Sequence, residues 1–245
     1  MSKAVLIAVA TSFLLVVNFA NAETIISEFE PNPGTGSSIS TIELVGVAGS
    51  MFDVNVISIE NDGFNGVVDR ATNVTGVFDA NGIAVFDVPD LENPSFTLLL
   101  TEFLVATGTD LDVGNTGILD VSGIGAIFDA VGVSDSVGDN ATLYSTALGG
   151  SDILFNGFDE PLGVFREGSD GDFFQYVLVD AGLATERVGV FSADGASEID
   201  VAEFAGDPTT TSFGLINPTF AVPEPSTFAF VALVGFGASL RRRRA

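Results

Sequence analysis

The sequence predicts an all-β protein, most economically a two-sheet sandwich, and three observations carry that expectation. Apolar runs of Val, Ile, Phe and Thr, about six residues long, alternate with clusters of Gly, Asn, Asp and Ser. No repeat with a period of about 20–50 residues is visible, which disfavours solenoids and propellers. The chain holds 22 Phe but no Trp, Cys or His. Aromatic burial therefore relies on rings that need no hydrogen-bond partner, and no disulfide can staple the fold. Two antiparallel sheets packed face to face satisfy that pattern.

In chain order, strands are expected over residues 24–29, 41–47, 54–59, 95–103, 173–179 and 187–191, each bounded by turn-forming residues. Within 54–59 the apolar phase changes, from Val54 and Val56 to Ile57 and Ile59, which predicts a bulge or bend. Val77-Phe78, then Asp79-Ala80-Asn81-Gly82, then residues 83–86 read as a hairpin, with Asn81-Gly82 supplying positive φ. Residues 153–155, Asn156-Gly157 and residues 162–165 read as a second, looser hairpin. Only residues 194–204 leave room for a short helix. Residues 209–222, polar and rich in Thr and Pro, read as a linker.

The front of the predicted sandwich carries a family likeness. Ile25-Ile26-Ser27-Glu28-Phe29-Glu30-Pro31-Asn32-Pro33-Gly34, followed by Ile42-Glu43-Leu44-Val45-Gly46, resembles the first two strands of the lamin-tail domain, an immunoglobulin-like β-sandwich. In that family a strand and turn of this kind precede a strand whose Glu sits between two core apolar residues. The likeness covers residues 24–46. The Gly-Trp strand usual beyond that point has no counterpart in a chain without Trp. The resemblance implies a binding or structural module that does no chemistry itself.

One stretch has metal-ligating character. Thr109-Asp110-Leu111-Asp112-Val113-Gly114-Asn115-Thr116-Gly117-Ile118-Leu119-Asp120 sets an Asp-x-Asp ahead of a Gly-rich turn and a closing Asp. Calcium takes about six to eight oxygens from carboxylates, amides and backbone carbonyls on a tight loop. Asp110, Asp112, Asn115 and Asp120 are the candidate side-chain ligands, with Thr116 offering a carbonyl. Gly114 occupies the place of the third acidic ligand of an EF-hand, and no Glu closes the loop. Among 33 acidic residues such a spacing also arises by chance. A solvated Gly-rich turn therefore stands beside the calcium loop as a reading.

Both ends carry targeting chemistry. Lys3, an apolar run over residues 4–17 and Ala20-Asn21-Ala22 form a secretory signal peptide, cleaved after Ala22. At the other end Val222-Pro223-Glu224-Pro225-Ser226-Thr227 precedes an apolar run over residues 228–240 and then Arg241, Arg242, Arg243 and Arg244. Pro223 and Pro225 bar helix and keep their stretch extended and accessible. As a helix the apolar run spans roughly 20 Å, against about 30 Å for a bilayer core. The four arginines stay on the cytoplasmic side. The segment is thus a stop-transfer signal with poor lasting grip; a permanent single-span anchor is the alternative. This arrangement resembles the PEP-CTERM sorting signal of exosortase substrates. The resemblance implies export through the secretion translocon, transient inner-membrane insertion of a C-terminal helix, and processing by an exosortase. The product is then expected at the cell-envelope surface or outside the cell. The chain divides into a signal peptide (1–22), a β-sandwich (23–208), the linker (209–222) and the sorting signal (223–245).

Charge narrows the partners. Between residues 23 and 240 only Arg70, Arg166 and Arg187 oppose all 33 acidic residues. Such a surface repels nucleic acid and attracts divalent cations. Without His or Cys there is no Ser-His-Asp triad, no usual zinc site and no thiol nucleophile. The expectation is a non-enzymatic surface or extracellular-matrix protein. Two alternatives remain. One is a calcium-dependent module that binds extracellular polysaccharide or another surface. The other is a carboxylate-based polysaccharide hydrolase, since Asp and Glu are plentiful.

Overall fold

A computed structural model describes residues 24–33, 37–61, 66–91 and 95–221. The first half of this chain forms β1 (Ile25–Phe29), β2 (Ile39–Val45), β3 (Met51–Glu60), β4 (Val68–Val77), β5 (Ile83–Pro89), β6 (Phe96–Thr101) and β7 (Ile127–Val133). The second half forms β8 (Ser151–Ile153), β9 (Pro161–Arg166), β10 (Phe173–Val179), β11 (Arg187–Ser192), β12 (Glu198–Ile199), β13 (Phe204–Ala205) and β14 (Thr219–Phe220). A seven-stranded sheet runs β12-β11-β10-β9-β1-β2-β5, and a five-stranded sheet runs β4-β3-β6-β7-β8. All pairings are antiparallel except β7 with β8. The six strands expected from the sequence are present with shifted ends. Residues 194–204 hold β12 and one turn of 3-10 helix, Val201–Glu203, capped by Asp200, rather than a continuous helix.

The sheets face each other across one apolar layer. Ile26, Phe29, Ile42 and Leu44 on one side meet Val54, Phe96, Leu98 and Val131 on the other, all essentially sealed from solvent. The rings of Phe29 and Phe96 meet edge to face at 6.4 Å, an arrangement favoured by their quadrupoles. A register shift between Ile26 and Glu28 lets Ile26 and Phe29, three residues apart, both point into this layer. One charged pair bridges the sheets. Arg166 on β9 donates from Nη2 to both oxygens of Asp129 on β7, at 3.0 and 3.2 Å. Its Nε donates to the Ile26 carbonyl, and its guanidinium lies 3.9 Å over the Phe173 ring.

Both expected hairpins are inter-sheet corners. β4 pairs with β3 and β5 with β2, so the Asp79–Gly82 turn carries the chain from one sheet to the other. Of the expected Asn81-Gly82 pair, only Gly82 takes positive φ. Asp79 Oδ1 accepts from Asn81 N and Ile83 N, both at 2.8 Å, and Gly82 has φ +82°. A Cβ on Gly82 would lie 2.4 Å from the Gly46 carbonyl oxygen, so only glycine fits. Likewise β8 and β9 lie in different sheets, and Asn156-Gly157 joins them. The phase change in β3 has a related cause. Pairing with β6 runs unbroken from Asn55 to Glu60, while pairing with β4 shifts at Ser58/Ile59. Val54 and Val56 face the shared core, whereas Ile57 and Ile59 face a second core on the outer side.

Each sheet therefore carries an outer cover. Over the five-stranded sheet, Leu111, Leu119 and Ile124 from the loop 102–126 pack on Ile57, Ile59, Leu99 and Tyr144. Over the seven-stranded sheet, Phe204 and Phe220 pack on Phe165 and Phe174.

Candidate functional site

The second cover lies directly before the segment that the sequence marks for sorting. Residues 209–221 are not a free linker: they form a strap closed by β13 and β14, and the described chain ends at Ala221. Val222, Pro223, Glu224, Pro225, Ser226 and Thr227, the apolar run and Arg241 to Arg244 lie outside the described residues, as do Ala20 and Ala22. Among the described residues no helix is long and apolar enough to cross a membrane.

Apolar packing anchors the two ends of the strap. Phe204 and Phe220 stack at 4.6 Å, and both meet the Phe174 ring edge-on, at 5.4 and 5.5 Å. Beyond them, Ala221 N donates to the Glu203 carbonyl at 2.7 Å, and Phe220 N donates to Glu167 Oε1 at 2.8 Å. The middle of the strap is held by polar groups. Asn217 Nδ2 donates to the carbonyl and the Oγ of Ser27, and Asn217 N donates to Ser169 Oγ.

Beneath the strap lie two carboxylates. Glu28 of β1 and Glu43 of β2 are directly paired across the strands and almost fully buried. Ser212 N donates to both oxygens of Glu28 at 2.9 and 3.1 Å, and Ser212 Oγ sits 2.8 Å from Glu28 Oε2. Gly214 N donates to Glu43 Oε2 at 2.8 Å, while Glu43 Oε1 has no partner among the described residues. Like charges directly opposed across strands repel, and burial penalises ionisation. Burial raises the Glu28 carboxyl to about 7, against the Ser212 hydrogen bonds that favour the charged form; nearby Glu43 and Glu30 raise it further. Burial also raises Glu43, opposed by the Gly214 N–H. Tyr176, on β10 beside them, is raised by its own burial and by the charges of Glu28 and Glu30.

The residues read as calcium ligands are spread apart in their hydrogen bonding. Asp112 turns inward and accepts from Thr116 N, Thr116 Oγ1 and Gly117 N, each at 2.7 Å, and from Tyr144 Oη at 2.9 Å. Its burial acts to raise the carboxyl, yet these donors win and hold it down to about 2. Asp110 Oδ1 accepts from Asp112 N, and Asp120 Oδ1 accepts from Ser122 N. Asn115 is exposed with φ +52°. The acidic groups thus cap local backbone rather than converge, and among the described residues no group of three or more acidic side chains is placed to hold a metal ion.

Sequence reasoning missed the buried acids. Glu28 and Glu43 stand in Ile-Ser-Glu-Phe and Ile-Glu-Leu, where a charged residue between core positions signals an outward face. That the face is covered depends on a segment about 170 residues away. Glu160 is a third such group. Asn32 Nδ2 donates to its Oε2 at 2.8 Å and its Oε1 is buried without a partner among the described residues. Burial, together with Asp135, Asp159 and Asp90, pushes it up to about 8.

No curated protein and no solved structure matches the chain. Residues 221–244 match the PEP-CTERM protein-sorting motif, which begins where the docked strap ends. That motif marks an exported protein that an exosortase processes and that is sorted to the cell envelope.

Proposed function

We propose that the protein is a non-enzymatic, immunoglobulin-like sandwich that an exosortase processes around residues 222–227 and leaves at the cell surface or in the extracellular matrix. The match at residues 221–244 carries this reading. The signal peptide at residues 1–22 supplies the matching export step through the translocon. The short apolar run at 228–240 would hold the chain in the membrane only until processing. The lamin-tail likeness is supported by β1 and β2, which lie side by side and antiparallel. Ile42 and Leu44 point into the core, with Glu43 between them on the opposite face. A non-enzymatic role is supported by the lack of His and Cys. It is also supported by the fate of the opposed pair Glu28 and Glu43, which are sealed beneath the strap and not set in an open cleft.

The test is the intact mass of the protein recovered from the surface fraction. A chain beginning at Glu23 and lacking Arg241 to Arg244 is the expected product. Recovery of the arginines on the mature surface protein would sink the reading.

A further inference from the structure

The distance between the folded domain and its sorting tail is decided by the strap. While the strap is docked, the last anchored atom among the described residues is Ala221 N on the Glu203 carbonyl. Pro223 then follows within about 7 Å of chain. The apolar run begins at Phe228, so a docked strap holds the domain within roughly 25 Å of the membrane surface. Undocked back to Phe204, the same chain to Phe228 becomes a leash of up to about 80 Å.

We propose that residues 207–220 are a releasable clasp, docked on the opposed Glu28–Glu43 pair, that sets how far the sorting motif stands from the domain and so governs its access to the processing enzyme. The clasp itself rests on geometry alone; its effect on processing rests on the sorting reading above. Two features make it releasable. Its polar grip is concentrated on Ser212, Gly214 and Asn217, and between its aromatic ends the residues Leu215 and Ile216 are exposed rather than packed. Its floor is a pair of like charges, which only a docked strap forces out of water.

The floor makes the clasp proton-linked. Glu28 faces Glu43 from β2, Glu30 from its own strand, Tyr176 from β10 and Ser212 from the strap, while Glu43 also feels Asp79 from the β4–β5 corner. None of these neighbours is cationic. The Glu28 carboxyl is raised from its ordinary 4.5 to about 7, chiefly by burial, and the strap completes that burial, so docking takes up protons. The stabilisation that Glu28 lends is complete below its ordinary value of 4.5 and is lost as pH rises through about 7. Between pH 5.5 and 8.5 Glu28 weakens docking by up to roughly thirtyfold.

Hydrogen exchange on the full-length chain in detergent micelles tests the clasp. Protection of the strap amides at residues 209–217, 219 and 220, corrected for intrinsic rates, is expected to fall at least tenfold between pH 5.5 and 8.5, with β3 and β6 unchanged. Glu28→Gln should flatten that dependence. Ser212→Gly, which lies on the strap and leaves the sandwich intact, should lower protection at both pH values. Strap protection that ignores pH in the unaltered chain, or that changes in step with β3 and β6, overturns the clasp. In exporting cells the fraction lacking Arg241 to Arg244 should appear faster for Ser212→Gly. A loosened strap with an unchanged processing rate overturns the access role. If no variant is ever processed while the strap responds as described, the clasp stands and the sorting reading falls.

Discussion

The loop over the five-stranded sheet and the strap over the seven-stranded sheet are both pinned by buried carboxylates, but the two carboxylates sit on opposite sides of their ordinary ionisation range. The Asp112 carboxylate accepts four hydrogen bonds, three from its own loop and one from Tyr144. Glu28 receives donors from Ser212 alone and faces Glu43 across the strand pair. In the first cover the donors outweigh desolvation and the charge is an asset. In the second, desolvation outweighs the donors and the charge is a liability. Burying a carboxylate therefore does not set the sign of its contribution. The number of donors aimed at it and the charge of its nearest neighbour do.

Removing what the two covers share should erase the contrast. Arg166→Ala takes the ionic partner from the half-buried Asp129, which keeps only the Ile26 and Ala130 N–H donors, and removes the guanidinium from the Phe173 ring, so it should cost about 3–4 kcal/mol. Urea titration followed by hydrogen exchange should then show both covers loosening together. If only one loosens, the pair is not a common foundation.

A smaller change should separate the covers. Phe204→Ala removes a ring packed against Phe165, Phe174 and Phe220 and should cost about 3 kcal/mol. Amides of the strap should lose protection while those of the loop 102–126 keep theirs. Equal loss in both would mean that the covers fold as one unit.

Acidity should sharpen the contrast by its sign. The contribution of Asp112 is present above 3.8 and should be lost as pH falls toward about 2, since its folded value is depressed. That of Glu28 is present below 4.5 and should be lost as pH rises toward about 7. Exchange measured from pH 3 to 8 should find the loop weakening at the acid end and the strap at the other. Covers that weaken at the same end would contradict the assignment.

The smallest expected effect concerns calcium. Both oxygens of Asp112, and Oδ1 of Asp110 and of Asp120, are committed to backbone and hydroxyl donors. Millimolar calcium or chelator should therefore move the melting temperature by less than about 1 °C, within the scatter of such melts. A larger upward shift with calcium would return the loop to the list of metal sites.

How far the fold could be read beforehand follows from the range of each interaction. Strand positions depend on alternation within a few residues, so β1, β2, β3, β6, β10 and β11 were legible. Turn positions depend on local φ, and Asn81-Gly82 and Asn156-Gly157 do turn the chain. Which strand a turn delivers to is not local, and both expected hairpins proved to be crossings between sheets. The covers were illegible for the same reason. The phase change at Ile57 and Ile59 predicts a bulge or bend, and the pairing with β4 does shift there, but alternation alone does not reveal that Leu111, Leu119 and Ile124 cover these side chains. Residues 209–222 looked like a linker because Thr, Ser and Pro say nothing of a partner strand far upstream.

By itself the sequence determined an all-β chain with an acidic surface, and it marked the tail by the order of Pro, apolar and Arg residues. These are properties of composition and of near neighbours, which a linear string records in full. Only the tertiary structure decided that the tail is tethered by a docked strap, and that Glu28 and Glu43 lie opposed beneath Ser212 and Gly214. The physical reason is that ionisation and docking respond to distance in space. The groups that set both come together from residues about 170 or more positions apart.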